Sequence, residues 1–250
     1  RNGRQVRVGE QMLMPKDIDG LVEQIYTEGR RTRIRLENGE DDDFSLSISR
    51  RKDENGEFPG GRFRVNVFRQ RGSLAAVIRV IRFELPDPGK LGISEEVLAL
   101  ADEKGDRNNR NGGLVLVTGA AGTGKSTTLA CMIDRINSNR DCHIITMEDP
   151  IEYIHRHKKA IVTQREISID TPGYLHALRS ALRESPDVIL LGEMRDYDTI
   201  SAALIAAETG VLVFSTLHTN SAADTINRIV DVFPDKEQAR TQLAQVLKAV

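Results

Sequence analysis

The 250-residue chain sets 35 Lys and Arg against 37 Asp and Glu, for a formal net charge of −2, and it has no Trp and 4% aromatic residues. That balance leaves neither the basic excess that marks nucleic-acid binders nor many platforms on which bases could stack. With 39% apolar and 29% charged residues and no apolar run near membrane-spanning length, the composition is that of a globular protein of one large or two modest domains.

Residues 1–83 have one texture. Asp17 to Tyr26 reads as a helix with Ile18, Leu21, Val22 and Ile25 on one face. Arg33–Leu36, Phe44–Ile48 and Phe63–Phe68 alternate polar and apolar residues, the period of half-buried antiparallel strands, and Glu37-Asn38-Gly39 and Pro59-Gly60-Gly61 mark turns. The pattern predicts a small α+β domain, rich in arginine. Residues 84–92, with Pro86, Pro88 and Gly89, read as a linker, and residues 93–250 as a second domain.

The second domain opens on a short helix from Ser94 to about Ala101, with Glu95 and Glu96 in its first turn. Apolar runs at 114–118, 143–147, 187–191 and 211–215 then alternate with helical patterns at about 124–137, 172–184 and 196–207. Unbroken apolar strands joined by helices predict an α/β fold with a mainly parallel sheet covered on both faces. Lys236 to Val250 reads as helical. The chain begins on Arg1 rather than Met and stops inside that helical pattern, so both ends look truncated; no signal-peptide pattern is present. Cys131 and Cys142 lack the partners of a zinc site and read as buried, reduced thiols of a cytosolic protein.

The most specific feature is Gly119-Ala120-Ala121-Gly122-Thr123-Gly124-Lys125-Ser126, between a predicted buried strand and a predicted helix that continues through Thr127. This is the P-loop pattern in its proper context. Its backbone N–H groups and the helix N-terminus suit phosphates, Lys125 suits the β- and γ-phosphates, and the Ser126 hydroxyl suits Mg²⁺. The predicted ligands are therefore ATP and Mg²⁺.

Three further strand ends carry polar groups. Glu148, Asp149 and Glu152 follow the second strand, in the crevice where open α/β sheets bind ligands. A nucleotide hydrolase needs one carboxylate for water and another near Mg²⁺, yet acidity alone fits a solvated turn capped by Asp149 equally well. Glu193 ends the third strand, a Walker B arrangement with Arg195, Asp196 and Asp198 beside it. His218 follows the fourth, where a γ-phosphate sensor would sit; its spacing fits a structural histidine too. Arg64 and Arg79, with Arg71 and Arg82, are candidates to neutralise transition-state charge, or else surface residues of alternating strands.

The motifs GAAGTGKSTT, TMEDPIEY, LRESPDVILLGEMRD and STLHTN, in this order, resemble the four signatures of the secretion ATPase superfamily that drives type II secretion and type IV pili. Within it, RFRVNVFRQRG, VTQREI and IVDVFP resemble the PilT-type retraction motors. The resemblance covers nearly the whole chain and implies a RecA-like P-loop NTPase core preceded by a PAS-like domain. It implies that Glu152 is the general base, that Glu193 supports Mg²⁺ through water together with Ser126, and that His218 contacts the γ-phosphate. It further implies that Arg64 and Arg79 reach the phosphates when the first domain closes. The working form would be a homo-hexamer, cytoplasmic and peripheral at the inner face of the inner membrane, acting on a pilus platform protein and not on nucleic acid. An assembly or type II secretion ATPase of the same superfamily is the alternative. A RecA-like nucleic-acid motor and a non-hydrolysing nucleotide-binding regulator are more remote. Asp198 stands where the family carries Glu, and Ala120-Ala121 where many relatives carry Pro-Thr.

Overall fold

A computed structural model describes residues 12–48, 51–53, 56–58, 60–81, 85–102 and 112–250. The chain divides into two compact units, with the division after Ile81.

The first unit holds α1 (Pro15–Glu28), α2 (Ile34–Glu37), β1 (Asp42–Ile48), β2 (Arg51–Asp53), β3 (Gly56–Phe58), β4 (Gly61–Gln70) and β5 (Ser73–Ile81). β1, β4 and β5 form an antiparallel sheet in the order β1-β4-β5, and β2 pairs with β3. Val22 and Tyr26 of α1 bury against Phe44, Leu46, Val65 and Val67 on one face of the sheet, which gives the small α+β unit. The buried Asp42 carboxylate is not left alone: it accepts from the Tyr26 hydroxyl at 2.9 Å and pairs with Arg31 at 3.2 Å. A buried charge needs such partners.

One expectation fails here. Arg33–Leu36, predicted as a strand, lies in the short helix α2. Of its two apolar residues only Leu36 is buried, and Ile34 is exposed, so alternation confers nothing. Backbone bonds from Glu37 to Arg33 and from Asn38 to Ile34 close the turn instead, and Gly39 (φ 81°) reverses the chain into β1.

The second unit contains α3 (Glu95–Ala99), β6 (Gly113–Thr118), α4 (Lys125–Asn139), β7 (His143–Glu148), β8 (Ile161–Glu166), α5 (Tyr174–Ala181), β9 (Val188–Leu191), α6 (Tyr197–Glu208), β10 (Leu212–Leu217), α7 (Ala222–Asp231), α8 (Lys236–Val246) and β11 (Leu247–Ala249). Six strands form one sheet in the order β11-β6-β10-β9-β7-β8, and every pair is parallel. Alternate residues of each strand serve opposite cores. Leu116, Ile145, Met147, Ile189 and Val213 pack with α5, α6, α7 and α8. Val115, Ile144, Val188, Leu190 and Phe214 pack with Leu129, Met132, Ile133 and Ile136 of α4. This is the α/β P-loop core that the apolar runs predicted.

The predicted short helix from Ser94 ends sooner than expected, α3 giving way to a tight 3-10 turn at Leu100–Asp102. The helical reading of Lys236 to Val250 holds only to Val246; β11 then adds to the edge of the sheet beside β6. Cys131 and Cys142 are free thiols, Cys131 buried and Cys142 only partly so. Arg82 lies outside the described residues. No helix among the described residues is long and apolar enough to cross a membrane.

Candidate nucleotide site

The parallel order brings the C-terminal ends of β6, β7, β9 and β10 to one edge of the second unit, and the four sequence motifs sit at those ends. Between them lies a cleft of about 230 Å³ whose lining includes Lys125, Ser126, Glu148, Glu152, Glu193 and His218.

The loop from Thr118 to α4 takes its shape from glycine. Gly122 (φ 80°) and Gly124 (φ 99°) hold left-handed backbone that other residues adopt with strain, and no neighbouring atom would block a Cβ at either position. They are there for conformation rather than for internal packing. Thr123 Oγ1 donates to the Ala120 carbonyl at 2.9 Å and ties the loop across itself. The Lys125 ammonium donates to the Gly119 and Ala120 carbonyls at 2.8 and 2.9 Å, and His218 Nδ1 stands 3.5 Å from it. Ser126 and Thr127 follow in the first turn of α4, and Thr127 Oγ1 lies 3.0 Å from the Tyr153 hydroxyl.

Opposite the loop, Glu193 is mostly buried. Its carboxylate pairs with Arg195 at 2.6 Å and stands 3.5 Å from His218 Nε2. His218 thus lies between Lys125 and Glu193. Ser215 and Thr216 donate to the Leu191 and Gly192 carbonyls at 2.7 and 2.6 Å, which binds the tip of β10 to that of β9 and fixes His218 relative to Glu193. Asp196 serves the fold, since its carboxylate caps α6 by accepting from Thr199 N–H at 2.9 Å. Glu152 is exposed at the cleft.

Arg64 and Arg79 belong to the first unit, where they face each other in the β4–β5 register. Two cations directly opposite repel, and a forked ion pair from Arg64 to Asp43, 2.6 Å at its shortest, offsets this.

The residues from 60 to 250 match the family model described as type II/IV secretion system protein. The chain belongs to that family. It is 53% identical over 197 residues to the type IV pilus retraction ATPase PilT of Pseudomonas aeruginosa, covering 78% of this chain and 55% of that protein. It is 52% identical over 192 residues to a twitching motility protein of Neisseria gonorrhoeae, covering 76% of this chain and 49% of the relative. The crystal structure of the pilus retraction motor PilT with bound ADP superposes with a TM-score of 0.80 at 50% identity, covering 92% of this chain and 62% of that one. The chain therefore spans about half the length of the curated relatives it matches.

Tyr174 and His155 of this type II/IV secretion system protein line the cleft although no sequence motif points to them, and Gln164 bonds to one of its lining residues, Glu148. Tyr174 comes from the start of α5, and a Cβ at Gly192 would stand only 3.0 Å from its hydroxyl and 3.1 Å from the Met147 carbonyl, so glycine permits this close approach. Burial, with Asp149, Glu193 and Glu148 nearby, pushes the Tyr174 hydroxyl above its ordinary range. Gln164 donates to Glu148 Oε1 at 3.4 Å, beside a 2.7 Å bond from Thr146 Oγ1. His155 is buried, and its Nδ1 has no hydrogen-bond partner. Tyr174 is brought in by α5 and Gln164 by β8, while His155 sits on the loop between β7 and β8.

Burial moves two groups of the cleft in opposite senses. Glu148 keeps a little accessible surface, but surrounding protein desolvates it and pushes its carboxyl up from 4.5 to about 7. Burial pulls His155 down from 6.5 to about 4. The raised Glu148 contributes stability that is complete below about pH 4.5 and lost as pH rises through 7; the depressed His155 contributes stability that is complete above pH 6.5 and lost as pH falls through 4. Between pH 4.5 and 6.5 the two oppose each other. Glu148→Gln removes the first contribution alone. Its melting temperature is expected to gain on the wild type by roughly 5–10 °C between pH 5 and 7.5, read by thermal unfolding at both pH values. A constant difference across that range would show that Glu148 titrates as an ordinary surface carboxylate.

Proposed function

We propose that this chain is the nucleotide-hydrolysing part of a motor ATPase of type IV pili that works in retraction. The observation that carries this reading is the convergence of a P-loop, with Lys125 drawn into its carbonyls, and the carboxylates Glu152 and Glu193 on one cleft. The similarity to pilus retraction ATPases supports the direction of work.

In this reading ATP lies with its phosphates on the amides of 119–125. Lys125 exchanges its loop carbonyls for the β- and γ-phosphates, and the N-terminus of α4 faces their charge. The donor set suits Mg²⁺. Among the described residues no cluster of three or more His, Cys, Asp or Glu exists that would cage a metal, whereas Mg²⁺ keeps several waters and binds through few protein groups plus phosphate. Ser126 would hold it directly and Glu193 through water; when bound it neutralises charge on the phosphate oxygens. Glu152 accepts the proton of the attacking water. His218, between Lys125 and Glu193, reports on the γ-phosphate. Arg64 and Arg79 would complete the site on closure of the first domain, which ends at residue 83 before the linker 84–92. The full-length protein would act as a homo-hexamer, cytoplasmic and peripheral to the inner membrane, on a pilus platform protein.

Counting surface pili in the source organism with Glu152→Gln in the full-length protein tests this. Persistent pili in excess over wild type are expected. Loss of pili would assign the protein to assembly, and unchanged pili would remove it from pilus dynamics.

A further inference from the structure

The segment 149–160, between β7 and β8, carries Glu152 and forms no helix or strand. Its backbone polar groups nevertheless need partners; buried Asn137 of α4 serves residues 156 and 158–160, and two side chains of β8 serve the part around Glu152. Glu166, 2% exposed, accepts the Ile151 N–H at Oε2, 3.1 Å away. Gln164 accepts the His155 N–H at Oε1, 2.8 Å, and donates from Nε2 to the Tyr153 carbonyl at 2.9 Å and to Glu148 Oε1 at 3.4 Å. Gln164 and Glu166 are two residues apart on one strand and so share a face, and they pair in register with Thr146 and Glu148 of β7. The points they grip, residues 151, 153 and 155, alternate along the loop, and Glu152 stands between the first two. On its other side Tyr153 reaches Thr127 at 3.0 Å, one residue beyond Ser126.

We infer that Gln164 and Glu166 are positioning residues that set Glu152 at its distance from the phosphate cradle; this rests on the reading of Glu152 as the base. Neither side chain lines the cleft. They act by replacing a missing backbone ladder: a loop gripped at alternate residues cannot turn the backbone of the intervening residue, and so its Cα–Cβ direction, without breaking bonds on both sides. An in-line attack tolerates little misplacement of its base, and a displacement near 1 Å costs on the order of 10²-fold in rate. The Glu152 side chain stays exposed at the cleft, because the grip is on backbone groups, the Glu152 N–H toward Glu148 included.

The test is steady-state ATPase kinetics and fluorescent-ADP titration of the full-length protein. Gln164→Met, similar in length but without hydrogen bonds, is expected to lower kcat about 10- to 100-fold, with KM and ADP affinity within about 3-fold of wild type. Glu166→Gln, which keeps an oxygen for the Ile151 N–H, is expected to turn over near the wild-type rate, and Glu166→Leu to fall as Gln164→Met does. The double variant Glu152→Gln/Gln164→Met is expected to be no slower than Glu152→Gln alone, since a residue acting through Glu152 has nothing left to position. A wild-type kcat in Gln164→Met, a parallel loss of ADP affinity, or additive losses in the double variant would overturn the proposal. Should Gln164→Met fail to fold, Gln164→Glu carries the same expectation, since it keeps the acceptor for His155 and loses the donor toward Tyr153; failure of both to fold would assign the pair to the fold and overturn the proposal. A wild-type rate in Glu152→Gln would instead sink the reading of Glu152 as base, whatever the β8 variants do.

Discussion

Replacing Glu152 with glutamine is expected to lower ATP turnover by about 10²- to 10⁴-fold, the usual contribution of a positioned general base, while nucleotide binding stays intact. Glutamine has nearly the same shape, so the backbone grip from Gln164 and Glu166 persists. It cannot accept a proton, and it removes a negative charge from the cleft, so on the proposed reading ADP affinity should hold or rise slightly. The rival carboxylate is Glu148, pushed up to about 7 by burial and hydrogen-bonded to Thr146 and Gln164. It is partly protonated at neutral pH, and those bonds hold one of its oxygens. Steady-state kinetics on both variants separate the two. A greater kcat loss in Glu148→Gln than in Glu152→Gln would transfer the base role to Glu148.

The other large effect is on binding. Lys125→Ala is expected to weaken ADP and ATP binding by roughly 2–4 kcal/mol, or about 30- to 700-fold, the cost of removing one partner of a charge-assisted contact. The fold should survive. Alanine is the best helix former, and the face of α4 that packs on the sheet, Leu129, Met132, Ile133 and Ile136, is untouched. Among the described residues the ammonium engages loop carbonyls and approaches His218, so its loss strands no carboxylate partner there. Fluorescent-ADP titration with thermal unfolding as control reads both quantities. Unchanged affinity in a folded variant would mean that the phosphates do not lie in this loop.

What could be read from the chain in one dimension was whatever depends on local pattern. Four unbroken apolar runs specify buried parallel strands because a strand covered on both faces has no polar side to show. The P-loop is legible because wrapping a phosphate demands glycine at 122 and 124, where the backbone turns left-handed, and Lys125-Ser126 at the start of a helix. The segment Arg33–Leu36 misled because alternation over four residues is too short to separate a strand from one helical turn. β8 carried no legible strand pattern: it is an edge strand that mixes Ile161 and Val162 with four polar residues, and two of these, Gln164 and Glu166, face the loop they hold.

Which acids share a cleft was decided by strand order. Lys125, Glu152, Glu193 and His218 lie on different strand ends and become neighbours because β6, β10, β9 and β7 are adjacent and parallel. The partners of Glu148 and of the 151–155 backbone are set by the β7–β8 register, in which Thr146 meets Gln164. Sequence determines which groups are available, through the conformations and charges each residue allows. Proximity between distant groups, and the desolvation that separates Glu148 from Glu152, arise only when packing expels water and sets distances.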